Sequence, residues 1–172
     1  HPFRANVESW RTRAVIRNEQ TTIASLLQSN GYRTAMVGKW HLGFQESGYD
    51  KPLPGGPVDR GFDSFFGIRA STDIPPYFYI RDDHAVAPPS ASIEANKSDG
   101  WSPIQGAFWR AGGIAPDLKL KDVLPRFTDE AITVIEDHAE TKNKKPLMLY
   151  LAYPAPHTPW LPSNKFRGSS KA

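Results

Sequence analysis

Lys39 and His41 stand two residues apart at the end of a short apolar run, Thr34-Ala35-Met36-Val37, and are bracketed by Gly38 and Gly43. An ammonium and an imidazole turned to one side suit a sulfate or phosphate group, because charge-assisted hydrogen bonds are roughly twice as strong as neutral ones. A second apolar run, Pro146 to Tyr153, leads into Pro154-Ala155-Pro156-His157-Thr158-Pro159, again with a histidine just beyond it. Either loop taken alone reads as well as a solvated cation or a satisfied polar residue. Together they describe two helix–strand units that each deliver a cationic group past a strand's carboxyl end, where open α/β sheets bind ligands. If the two strands are neighbours in one parallel sheet, Lys39, His41 and His157 converge on a single crevice.

The elements that must position these residues can be read in outline. Thr21 or Thr22 caps a helix whose Ile23, Leu26 and Leu27 form an i, i+3, i+4 stripe. Gly31 falls where a left-handed residue stops it. Thr34 to Val37 then make a buried strand, with a loop from Gly38 to Gly43. Prolines and glycines fill 45–61, and Gly61 to Gly67 is an aromatic knot that reads as packing under a loop. Tyr77 to Ile80 reads as a strand and Arg81-Asp82-Asp83-His84 as a turn. Residues 86–120 lack periodicity and read as a long surface excursion, of the kind that is commonly functional. Thr128 can cap a helix to about Glu140 with Ala131, Ile132, Ile135 and Ala139 on one face. The run from Pro146 to Tyr153 predicts a strand buried on both faces. The predicted fold class is α/β, a mostly parallel sheet flanked by helices. Its ordered units are about 20–43 and 122–160, with a loop-rich insertion at about 45–120.

Composition sets the bounds. The chain has 172 residues, enough for a sizeable core, with sixteen prolines, thirteen glycines, five Trp, six Tyr and nine Phe, which together suggest a packed, loop-rich globule. With no cysteine, it carries no disulfide, thiol nucleophile or thiolate metal site. The formal net charge of +3 is spread over the sequence, and the densest basic cluster, Lys142 to Lys145, reads as a solvated turn. No basic face interleaved with aromatics points to nucleic acid, and no apolar run is long enough to span a membrane. The first residues, His1-Pro2-Phe3-Arg4, resemble neither a signal peptide nor a natural start, so a mature product or excised fragment is expected.

The motifs resemble those of the sulfatases, within the alkaline-phosphatase superfamily. Gly31 to Gly43 is similar to the family's second signature in its Gly-Lys-Trp-His-Leu-Gly form. Thr22 to Leu27 resembles the helix that precedes it. Arg60-Gly61-Phe62-Asp63-Ser64-Phe65-Phe66-Gly67 is similar to Arg-Gly-Phe-Asp-x-Phe-x-Gly, and Tyr153 to Pro159 resembles the loop carrying a further active-site histidine. The four stretches are collinear with the family's and cover most of residues 20–162. The resemblance implies that Lys39 and His41 hold the sulfate ester and the nucleophile's oxygens. It also implies that His157 serves the ester oxygen and that Ser71 contacts sulfate. Asp73 is a candidate for a sugar hydroxyl, although a turn-forming aspartate before Pro75-Pro76 is the simpler reading.

The resemblance further implies a formylglycine nucleophile, made from cysteine or serine in Cys/Ser-x-Pro-x-Arg, and a calcium ion held by paired aspartates. Neither motif occurs in residues 1–172, so no metal ligands are assigned within this chain and both groups are expected from outside it. Asp82-Asp83 stands in the wrong place for the aspartate pair and reads as a turn. The expectation is therefore a partial sulfatase catalytic domain, incomplete at both ends. Such a piece should be inactive alone and, with uncovered edges, marginally stable or insoluble. The implied substrate is a small-molecule or carbohydrate sulfate ester, and the implied location is periplasmic, extracellular or lysosomal. A related phosphodiesterase or phosphonate hydrolase, and a non-catalytic anion-binding relative, are the alternatives. Asn96-Lys97-Ser98 is a glycosylation sequon that carries little weight by itself.

Overall fold

The computed structural model describes residues 13–100, 102, 104–142 and 145–169. The expectations placed on residues 1–12, on Trp101 and on part of the basic turn lie outside the described residues. A five-stranded sheet runs in the order β4-β3-β2-β1-β7, formed by β1 (Arg33–Lys39), β2 (Ser64–Ile68), β3 (Tyr79–Arg81), β4 (His84–Ala85) and β7 (Leu147–Ala152). The pairings β1–β2 and β1–β7 are parallel, whereas β2–β3 and β3–β4 are antiparallel. The sheet is thus mixed, with a parallel centre and an antiparallel margin. Two helices flank it, α1 (Ile23–Ser29) and α2 (Val123–Glu140).

Local chemistry defines α1 at both ends. Thr22 Oγ1 accepts from Ser25 N at 3.0 Å while Ser25 Oγ accepts from Thr22 N at 2.9 Å, a reciprocal capping box. At the other end Gly31 has φ of +86°, Gly31 N donates to Gln28 O and Tyr32 N to Leu27 O, the paired bonds of a Schellman stop. The expected apolar stripe, however, does not face inward. Ala24 is the buried residue, while Ile23 and Leu26 are 68% and 52% exposed.

The block from Arg60 to Gly67 docks these elements, and its aromatic knot is strand β2 rather than packing under a loop. Gly61 sits at φ of +95° with Ser25 N only 2.3 Å from where a Cβ would stand, so α1 packs directly on this turn. Asp63 accepts from Thr34 N at 2.8 Å and from Gln28 Nε2 at 2.7 Å, tying β2 to β1 and α1. Burial pushes its carboxyl up, but hydrogen bonds from the Thr34 backbone, from Gln28 and from the Thr34 hydroxyl, with Lys145 nearby, leave it below the usual range. A depressed folded value adds stability that is present above the unfolded pKa of about 3.9 and is lost as pH falls through the folded value. Asp63→Asn is therefore expected to lower Tm at neutral pH. Its deficit should shrink on acidification below about pH 4, as a Tm series against pH would show.

Helix α2 begins at Val123, five residues before the predicted cap at Thr128. Pro125 is tolerated because the first-turn N–H groups have no helical partner anyway. Thr128 Oγ1 instead donates back to Leu124 O at 3.1 Å and meets Tyr153 Oη at 2.6 Å. The buried stripe is Val123, Phe127 and Ala131, while the expected Ile132 and Ile135 are 46% and 50% exposed. The aromatic decides the rotation. Phe127 meets Phe66 of β2 and Tyr79 of β3 edge-on at centroid distances of 6.2 and 6.3 Å.

Strand β7 was expected to be buried on both faces and is not. Among the described residues it pairs only with β1, and Tyr150 and Leu151 are 50% and 37% exposed. Within the 86–120 excursion lies a small ribbon, β5 (Ala91–Ile93) with β6 (Gly112–Ile114), that no periodicity announced. The sequon is stapled into it: Asn96 Nδ2 donates to Ala107 O, and Ser98 Oγ accepts from Ala107 N. Asp82 and Asp83 form the β3–β4 turn, with Asp82 Oδ1 accepting from Phe65 N at 2.9 Å.

Candidate functional site

The candidate site lies at the carboxyl ends of β1 and β7. These strands are parallel neighbours, with Val37 opposite Leu151 and Gly38 opposite Ala152. Lys39 is the last residue of β1, which runs two residues beyond the expected end at Val37, and His157 follows β7 by five residues. Their adjacency is what brings the two loops together.

The loop after β1 folds back sharply. Trp40 N donates to Ile68 O and His41 N to Arg69 O at 3.0 Å, continuing the parallel ladder one step past the strand. His41 has φ of +58°, a left-handed conformation that a non-glycine residue rarely adopts and that clusters at functional sites. Trp40 holds the turn from beneath: it is buried and its indole Nε1 donates to Gly43 O at 2.9 Å.

A continuous chain of contacts follows. Lys39 Nζ donates to Ser71 Oγ at 3.4 Å, and Ser71 Oγ lies 3.1 Å from His157 Nδ1. His157 Nδ1 also lies 2.9 Å from Thr158 O and 3.7 Å from Asp73 Oδ1. Asp73 is 4% exposed, and its other oxygen, Oδ2, accepts from Arg110 Nη1 at 2.6 Å. Thus Lys39, Ser71, Asp73 and His157 occupy one cluster. His41 shares its electrostatic field, since burial first, and then Lys39 and His157, lower its pKa against the pull of Asp73. Burial thus favours the neutral form of the His41 imidazole. Burial also lowers the Lys39 pKa, with Asp73 partly opposing it.

Two participants escaped the sequence reading. Arg110 comes from the unpatterned excursion, and nothing in its neighbourhood marks it. Arg69 is buried, gives its backbone oxygen to His41 N and pairs through Nε with Glu46 at 2.5 Å. Its place beside Ser71 was the available signal.

The described residues do not fit the calcium ion that the motifs imply. Among them, no group of three or more His, Cys, Asp or Glu side chains is placed to hold a metal. Nor does the chain contain a cysteine, or a serine in the sequence that precedes a formylglycine.

The sulfatase family model matches residues 3–172. The chain belongs to the sulfatase family. Among curated relatives, this sulfatase chain is 28% identical to the N-acetylgalactosamine-6-O-sulfatase of Bacteroides thetaiotaomicron, over 91% of its own length and 36% of the relative's. It is 31% identical to arylsulfatase G of Canis lupus familiaris, over 81% of its length and 25% of the relative's. It therefore spans little more than a third, or less, of these relatives. A solved structure from work on the metabolism of multiple glycosaminoglycans by Bacteroides thetaiotaomicron superposes with a TM-score of 0.72 at 25% identity, covering 93% of this chain and 39% of that one. The fold of a Pseudoalteromonas sulfatase, at 17% identity, superposes with a TM-score of 0.60. These likenesses support the α/β fold of the family and a partial domain. No helix among the described residues is long and apolar enough to cross a membrane.

Proposed function

We propose that the protein of which these residues form part hydrolyses sulfate esters of carbohydrates, and that Lys39, His41, Ser71 and His157 line the sulfate pocket. The observation that carries this reading is the contact chain Lys39–Ser71–His157 at the ends of two parallel strands. The names of the relatives support a sugar sulfate as the ester. Residues 1–172 are then part of a catalytic domain, inactive alone, in an exported protein. A formylglycine and a calcium ion, where the whole protein has them, come from other residues.

The chain's own groups have distinct tasks. Lys39 neutralises charge on the sulfate oxygens, and its partial burial strengthens that interaction because water screens it less. Ser71 accepts from Lys39, which frees its hydroxyl proton for a sulfate oxygen. Neutral His41 can donate to another oxygen without adding charge. His157 is 46% exposed at its side chain, with Nδ1 turned to protein acceptors. Its Nε2 is thus the nitrogen available to protonate the departing ester oxygen. Asp73, buried beside Nδ1, supplies the counter-charge.

The test is turnover by the full-length protein of a sugar sulfate, an aryl sulfate and the matching phosphate esters. Sulfate esters should be preferred, and a preference for phosphate would overturn the proposal. The pH profile offers a further check. Lysine is charged only below its pKa, so on an aryl sulfate, whose leaving oxygen needs no proton from His157, kcat/KM should fall on the alkaline side at a pH below the ordinary 10.5. In Lys39→Arg that limb should move beyond the accessible range, because guanidinium does not deprotonate there.

A further inference from the structure

Asp73 is a buried carboxylate with its two oxygens in unlike situations. Oδ2 is held by Arg110 Nη1 at 2.6 Å, and the same Nη1 reaches the Asp73 backbone oxygen at 3.2 Å. Oδ1 is buried without a hydrogen bond and points to His157 Nδ1, 3.7 Å away. A buried charged oxygen left short of partners is costly, so its orientation must be enforced by something else. Arg110 is that enforcing group. Its own segment is fixed independently of Asp73 by Tyr77 Oη, which donates to Arg110 O at 2.7 Å, and Arg110 N adds a bond to Asp73 O at 3.3 Å. The Arg110 guanidinium also lies 5.1 Å over the Phe108 ring, which restricts its swing.

The consequence falls on His157. Thr158 O, 2.9 Å from Nδ1, and Asp73 Oδ1 can only accept, and Ser71 Oγ, with its proton turned to the sulfate, has a lone pair left to accept as well. With acceptors on that side of the ring, the proton belongs on Nδ1 and Nε2 is the end presented to the ester.

We infer that Arg110 is a positioning residue for the leaving-group histidine, holding Asp73 so that its free oxygen, beside Thr158 O, helps fix the tautomer and direction of the His157 imidazole. The inference rests on the sulfatase reading for its catalytic meaning. As an oxygen nucleophile bonds to sulfur, the bond from sulfur to the ester oxygen breaks and its electron pair stays on that oxygen. In its imidazolium form His157 carries protons on both nitrogens; Nε2 gives one to the departing oxygen, and the ring is left as the neutral Nδ1–H tautomer facing Asp73. Arg110 touches no reacting atom. Its influence should therefore depend on how badly the leaving oxygen needs that proton.

The experiment compares the full-length wild type with Arg110→Met and Asp73→Asn on two esters. A sugar sulfate departs as an alcohol that must be protonated, whereas a nitrophenyl sulfate departs as a stabilised phenoxide. General-acid assistance is worth about 10²–10⁴-fold, so imperfect aim should cost a fraction of that. Each variant is expected to lose at least about ten times more kcat on the sugar sulfate than on the aryl sulfate. Arg110→Lys should recover part of the difference. Equal losses on both esters would mark a merely structural role and sink the inference. A second readout needs no turnover: proton–nitrogen correlation spectra of the His157 ring should show the Nδ1–H tautomer in wild type and a mixture in both variants. An Nδ1–H pattern unchanged by Arg110→Met overturns the inference even if activity falls. If wild type cleaves neither ester, the sulfatase reading fails, and the ring spectra still decide whether Arg110 orients His157. Asp73→Asn keeps the side chain's shape, so it stays informative should Arg110→Met fold poorly.

Discussion

Lys39→Ala in the full-length protein is expected to lower kcat/KM on a sulfate ester by about 10²–10³-fold, the scale seen when one fixed transition-state donor is removed. Lys39 is the ammonium in contact with Ser71, and it ends a strand whose register is set on both sides by parallel neighbours. Rigid placement matters, because a donor that must reorganise loses much of its advantage over water. Removing it also leaves the Asp73 carboxylate less balanced in the pocket, which further disfavours an anionic ester. The Ser71–His157 contact survives, so the variant should keep its fold and its Tm within a few degrees. Steady-state kinetics decide the matter, and a loss smaller than about tenfold would show that the sulfate is held elsewhere.

Gly38→Ala is expected to destroy the fold rather than the chemistry. Gly38 has φ of +124°, and a Cβ there would stand 2.1 Å from Ala152 O and 2.6 Å from Ala152 C. Those atoms are backbone of β7, which cannot retreat without opening the β1–β7 ladder. The facing position is equally closed, since a Cβ on Gly67 would stand 1.9 Å from Gly38 O. Three parallel strands thus meet along the row Gly67–Gly38–Ala152 with almost no side chain between them. A clash with backbone combined with a strained φ belongs to the rare class of substitutions costing more than about 4 kcal/mol. Against a total stability of about 5–15 kcal/mol, that should collapse soluble yield or lower Tm by roughly 10 °C or more. Thermal unfolding of the purified full-length variant checks it, and a wild-type melt would refute the close strand contact.

What was legible in the sequence followed from short-range chemistry. Thr22, Ser25 and Gly31 declare the ends of α1 through bonds spanning three to five residues, and the β1 run is apolar enough to require burial. The nearness of Lys39 and His157 was readable because one ends and the other follows strands that the same architecture sets side by side. Arg110 was not, because its partner Asp73 lies 37 residues away and no local pattern links them. The start of α2 was misplaced because Thr128 has the hydroxyl of a cap but spends it on Leu124 O. Which face of α2 turns inward was decided by Phe66 and Tyr79, residues of other strands. The exposure of Tyr150 and Leu151 likewise depends on what lies beside β7, not on their own hydrophobicity.

The contact chain through Ser71 has a temporal consequence. Lys39 and Ser71 are separated by 32 residues, and Ser71 and His157 by 86. Closing a loop costs entropy that grows with the logarithm of its length, so the second closure is harder than the first by about 1 kcal/mol. Topologies dominated by such distant contacts also fold slowly. The pocket therefore has no local precursor. A partly folded chain can carry Lys39, His41 and His157 but no anion site, which forms only once β7 pairs with β1.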